Sequence, residues 1–142
     1  MIVPDLNLLV YAYDAGSPMH ERARRWWIQC LSERRTVGIP WAVAFGFIRL
    51  WTNPRVFANP MNVDLASRHV ESWFGRPMVK AINPGPRHLE IALNLLRTEG
   101  TGGNLTTDAH LAALAIEVGA TLHTADTDFL RFTGLKWINP LV

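Results

Sequence analysis

Five short apolar runs punctuate this chain, at residues 1–3, 37–39, 78–82, 120–124 and 136–138. Each is too short for anything but a strand, and longer stretches with a helical repeat lie between them. Ala23, Trp26, Trp27 and Cys30 fall at i, i+3, i+4 and i+7, one buried stripe of a helix that Ser17-Pro18 is expected to open. Residues 41–51 are apolar almost all round, which predicts a buried helix ending near Asn53-Pro54. Val63, Ala66, Val70 and Trp73 repeat at helical spacing up to Gly75, and Leu89, Ala92, Leu93 and Leu96 do so behind Pro86. Thr106 or Thr107 is expected to cap a further helix that Gly119 stops. Residues 126–132 read as a turn with a short helical piece. Strands that alternate with helices imply an α/β chain: a mostly parallel central sheet with helices on both faces, a three-layer α/β/α sandwich. In such sheets ligands sit beyond the carboxyl ends of the strands.

The chain has 142 residues, suited to one domain over residues 1–142, and 49% of them are hydrophobic, ample for a core. No apolar run approaches the roughly 20 residues of a membrane span. The start, Met1-Ile2-Val3-Pro4-Asp5, lacks the basic region of a signal peptide. A lone cysteine, Cys30, excludes a disulfide framework and a cysteine zinc site, and points to a reducing cytoplasm. Lys and Arg total 14 against 12 acids, and only Lys80 and Lys136 are lysines. Arginine is the better fork for phosphate, although a GC-rich genome produces the same bias.

The aspartates carry the chemistry. Asp5 and Asp126 follow predicted strands, and Asp108 falls in the first turn of a helix after the loop at 100–104. Singly, each has a plain role as a cap, a helix-dipole partner or a turn residue; Asp14 and Asp64 are left in that role. Jointly, carboxylates converging on one sheet edge repel one another unless a cation joins them. Hard oxygen ligands suit Mg²⁺, with Mn²⁺ as an alternative. Such an ion polarises a phosphoryl oxygen and activates water, the chemistry of phosphodiester hydrolysis.

The segments PDLNLLVYAYD, FIRLWTNPRVF, NLTTDAHLAALAIEVGATLHTADTDFLRF and LKWINPL, spread from Pro4 to Leu141, resemble a PIN domain, and more narrowly the VapC-type ribonuclease toxins of bacterial toxin–antitoxin pairs. The combined D-x-N, T-T-D-A and T-x-D-x-D-F signatures are specific, whereas each alone is weak. The resemblance implies a PIN-like sandwich and an Mg²⁺-dependent RNA endonuclease that inhibits growth. It implies a VapB-like antitoxin as partner, and a homodimer or toxin–antitoxin hetero-oligomer as assembly. By the same resemblance Asp5, Asp108 and Asp126 are the catalytic and metal-ligating acids, Asp128 is a weaker ligand, and Asn7 and Thr124 support the site.

One departure stands out. The family usually carries a Glu three residues before the arginine of the middle helix; here that arginine is Arg49 and the position holds Gly46, with no acid anywhere between Glu33 and Asp64. The site is then expected to hold one metal rather than two, to bind it weakly, or to complete it with water or substrate. The alternative function is a PIN module that binds RNA or antitoxin without turnover. A phosphatase using an Asp nucleophile is disfavoured because Asp5-Leu6-Asn7 lacks the second Asp such sites use. Arg49 and Arg55 flank the expected site as candidate phosphate contacts, a surface role or an ion pair being equally open to each. His110 and His123 are assigned structural or hydrogen-bonding roles, and Trp26, Trp27, Trp41, Trp51 and Trp73 core or interface packing.

Overall fold

All 142 residues, Met1–Val142, are described by the structure, a computed structural model. The chain runs β1 (Ile2–Pro4), α1 (Leu6–Tyr13), α2 (His20–Ser32), β2 (Val37–Pro40), α3 (Trp41–Trp51), α4 (Val63–Phe74), β3 (Val79–Ile82), α5 (His88–Glu99), α6 (Leu105–Glu117), β4 (Thr121–His123), a 3-10 turn (Thr127–Arg131) and β5 (Lys136–Ile138). The strands form one five-stranded sheet in the order β3-β2-β1-β4-β5, and every pairing is parallel. The crossovers put α1–α4 on one face, where α1 packs on α2 and α3, and the α5–α6 pair on the other. Covering on both faces explains why β1 and β2 are buried at every residue, while the edge strand β5 is half open. The core is a single cluster of 31 buried apolar side chains, and no helix is long and apolar enough to cross a membrane.

The strand order reverses between β1 and β4. Chain segments leave the sheet in opposite directions there, so a crevice opens beyond their carboxyl ends. Asp5 and Asp126 stand at that switch point.

Several sequence expectations need correction. Ser17-Pro18 does not open α2: Ser17 Oγ accepts from the Met19 amide at 3.1 Å in a turn, and the helix begins at His20. Pro86 likewise lies in a turn ahead of α5. Neither Thr106 nor Thr107 caps α6, which starts at Leu105 behind Asn104 and leaves both threonines inside the first turn. The α3 helix is buried on one face only. Trp41 and Phe45 keep 47% and 64% of their surface exposed, with Trp41 stacked on Phe74 at 5.4 Å. Gly119 ends α6 as expected, its φ of 67° being the left-handed conformation that glycine adopts without cost.

Glu117, at the end of α6, pins the connection from β3 to α5. Its carboxylate accepts from the Gly85 amide at 2.7 Å and from the Arg87 amide at 2.9 Å. Replacing it with alanine strands two backbone donors, each bond to a charged acceptor being worth about 1.5–3 kcal/mol. Glu117→Ala is expected to lower the urea midpoint by an amount equivalent to roughly 2 kcal/mol at unchanged m-value; an unchanged midpoint would show that water replaces the carboxylate at no cost.

Candidate metal centre

Four short stretches of chain meet at the carboxyl edge. β1 pairs with β4 so that Pro4 lies opposite His123, and the Asp5 amide continues the ladder by donating to the His123 carbonyl at 2.9 Å. The residues that follow, Asp5 and Thr124, are thereby neighbours. Thr124 is fully buried; its Oγ1 donates to Asp5 Oδ2 at 2.7 Å and accepts from the Asp126 amide at 3.0 Å. One hydroxyl thus ties the first acid to the loop that carries the third. Asp5 stands at the N-cap position of α1, yet its side chain makes no capping bond to that helix, so the cap role does not account for it.

Asp108 projects from the first turn of α6, and Asp126 and Asp128 come from the loop after β4. One carboxylate oxygen from each lies within 4.8 Å of the others. Asp5 is not in this triad. It sits beside it, 8% exposed, lining with Asp108 a pocket of about 190 Å³ whose wall includes Asn7, Pro40, Thr107 and His110. Asp126 Oδ1 also accepts from the Asp128 amide at 2.9 Å, which holds the 3-10 turn and fixes both acids relative to each other.

No cation of the chain compensates this charge. Its two ion pairs, Arg68 with Asp64 and Arg87 with Glu90, lie elsewhere. Burial pushes the Asp5 carboxyl up; the Thr124 hydrogen bond opposes this, and the Asp126 charge adds to it. Asp108 rises from an ordinary 3.8 to about 6, through burial first and then the charges of Asp126, Asp5 and Asp128. Three hard oxygen donors within a few ångströms, uncompensated and mutually repelling, fit a small divalent cation such as Mg²⁺ or Mn²⁺.

Arg49 and Arg55 do not line the pocket. Both are exposed, Arg49 on α3 and Arg55 in the following turn, and neither pairs with a site acid. His123 is structural, buried in β4 with Nδ1 accepting from Trp26 Nε1 at 2.9 Å. His110 stands two residues beyond Asp108 on α6. It lines the carboxylate pocket and is held by His88, whose Nε2 lies 2.8 Å from His110 Nδ1. The signal available in the sequence was the Asp108-Ala109-His110 spacing at the start of a helix. Gly46 is closed rather than vacant: a Cβ there would stand 2.7 Å from Leu6 Cδ2, so Leu6 fills the space a side chain at position 46 would need.

The PIN domain family model matches residues 2–135. Ribonuclease VapC33 of Mycobacterium tuberculosis is 46% identical over 141 residues, covering 99% of each chain. Ribonuclease VapC37 of the same organism is 39% identical over 140 residues, covering 99% of this chain and 97% of the relative. In fold, the chain superposes on VapBC2 from Rickettsia felis, solved bound to a DNA fragment from its promoter, with a TM-score of 0.71 at 18% identity over 98% of both chains. The chain belongs to the PIN-domain family and, within it, to the VapC ribonucleases.

Because the fold favours the protonated form of Asp108, its charge destabilises the metal-free protein. That cost is absent below about pH 4, grows as pH rises toward 6, and is complete above it. In EDTA, Asp108→Asn is therefore expected to raise Tm by a few degrees at pH 7.5, the gain shrinking as pH falls from 6 toward 4. A lower Tm at pH 7.5 would mean that the carboxylate is compensated.

Proposed function

We propose that this protein is a metal-dependent RNA endonuclease, the toxin of a VapBC-type pair, acting in the cytoplasm and silenced by a VapB-like antitoxin. The observation that carries the reading is the triad of Asp108, Asp126 and Asp128, three uncompensated carboxylates at the switch point of a parallel sheet, with Asp5 beside them. The relatives' names supply the substrate class, since both VapC33 and VapC37 are ribonucleases. The Rickettsia felis neighbour is a toxin–antitoxin complex, which supports the partner.

In this reading Asp108, Asp126 and Asp128 would hold the cation, and Asp5, which lines the pocket with Asp108, would complete its acidic surroundings. When bound, Mg²⁺ or Mn²⁺ polarises a phosphoryl oxygen and activates water for phosphodiester hydrolysis. Thr124 aims Asp5 by donating to Oδ2, a bond that favours the carboxylate against the effect of burial. Asn7 offers an amide at the rim, and His110, steadied by His88, offers a ring to the substrate side of the pocket. Outside the four site acids the chain has 14 cationic side chains against eight acids, a frame that draws a polyanion toward a negative pocket. Arg49 and Arg55, unpaired and exposed on the α3 side, belong to that frame.

Asp5→Asn is expected to abolish both RNA cleavage and growth inhibition while leaving the thermal unfolding transition in place; a fully toxic Asp5→Asn protein would sink the mechanism. Removal of the carboxyl group at a metal-facing position costs at least about 10²-fold in rate. A second reading, RNA or antitoxin binding without turnover, draws on the closure of position 46 by Leu6, which leaves the pocket one acid short of the family pattern. Cleavage started by Mg²⁺ or Mn²⁺ and stopped by EDTA excludes it, whereas RNA binding with no such cleavage establishes it. Thr124→Val tests the support role: it is expected to weaken Mn²⁺ binding, read by calorimetry, by about tenfold, the worth of one hydrogen bond to a charged group.

A further inference from the structure

On the other side of β4 from the Thr124–Asp5 bond lies a second cleft of about 360 Å³, between α2, the end of β5 and residues 140–142. Its character is opposite to that of the carboxylate pocket. Arg22, Arg25 and Arg35 line it, and Glu33 is the only acidic side chain in its wall. Arg22 and Arg25 lie one turn apart on the α2 face that carries Trp26, and Arg22 Nη1 donates to the Leu141 carbonyl at 3.3 Å across the cleft mouth. None of the three guanidinium groups is in an ion pair.

His123 stands in the wall as well. His123 is 4% exposed, and its Nδ1 accepts from Trp26 Nε1, a group that can only donate. The neutral ring then carries its proton on Nε2, and that buried nitrogen has no partner in the protein. Trp26, Ile138 and Leu141 supply apolar wall beside the arginines, and the volume is at the small end of ligand sites.

We propose that this cleft binds a phosphate group, carried either as free phosphate or as the 5′-phosphate of a mononucleotide, at a site distinct from the carboxylate pocket. Three arginines lining one cleft offer forks that suit the several oxygens of a phosphate dianion, which takes bidentate bonds from more than one guanidinium. A sugar or base attached to it lies against the apolar wall. The inference does not depend on ribonuclease activity, since nothing in it involves the acids.

Isothermal titration calorimetry of the full chain in EDTA, with inorganic phosphate and with adenosine 5′-monophosphate, tests the site without any metal-borne contribution. Saturable one-to-one binding of either probe is expected, tighter for the nucleotide if the apolar wall is used and equal if phosphate alone is read. In the Arg25→Gln/Arg35→Gln protein, whose substituted side chains are exposed, the circular dichroism is expected to be unchanged. Binding there falls by about a hundredfold, roughly tenfold for each guanidinium lost. No saturable heat with either probe, or equal affinity in the double variant, overturns the proposal. So does an oligoglutamate peptide that binds the cleft and is not displaced by phosphate.

Discussion

The parallel pairing of β1 with β4, with Pro4 opposite His123, is the constraint on which the functional edge depends. It makes Asp5 and Thr124 neighbours although 119 positions separate them, and the Thr124 hydroxyl then links Asp5 to the backbone of Asp126. A slip of one residue in that register would turn alternate side chains to the opposite face of the sheet. His123 would leave Trp26, and Asp5 would lose its only side-chain donor. The core residues Val3 and Leu122, both fully buried, hold the register from the other face.

Charge is distributed against this frame in a deliberate order. The four site acids gather where the strand order reverses, without a compensating lysine or arginine, and repulsion among them raises Asp108 to about 6. Self-repulsion of this kind is a standing cost to the folded chain, and a bound cation converts it into binding energy. The cationic side chains lie elsewhere, all in exposed positions. Two clefts of opposite sign therefore flank the carboxyl end of β4: His123 lines one, and Thr124, the next residue, bonds Asp5 in the wall of the other.

Much of this was legible in the residue pattern, and the exceptions have physical causes. The helix at Trp41–Trp51 was readable to the residue, because a run of apolar side chains closed by Asn53-Pro54 has few other outcomes. Its burial was not: periodicity reports which residues are apolar, but Trp41 and Phe45 are left exposed because α4 covers only one flank. The start of α2 was misplaced because Ser17 satisfies a turn with the same hydroxyl that would have capped a helix. The aspartates of the site were all named from motif, yet nothing in their spacing distinguishes the tight group of Asp108, Asp126 and Asp128 from Asp5, which the Thr124 hydroxyl holds to one side. The contacts of Glu117 and His110 were not legible because their partners, the Gly85 and Arg87 amides and His88, come from a different helix connection.

By itself, the sequence determined the class of this protein: alternating short strands and helices, one free cysteine, an acid-poor middle segment around Gly46, and aspartates following strands. These are local properties, set by side-chain chemistry and backbone preference within a few residues. Tertiary structure decided which carboxylates share one cation-sized space, that Leu6 closes the space beside Gly46, and that three arginines and an unpartnered histidine face a common cleft. Those outcomes depend on strand register and on helices crossing the sheet, which bring together groups about a hundred residues apart. No periodicity along the chain encodes such a distance; only the packing of the core fixes it.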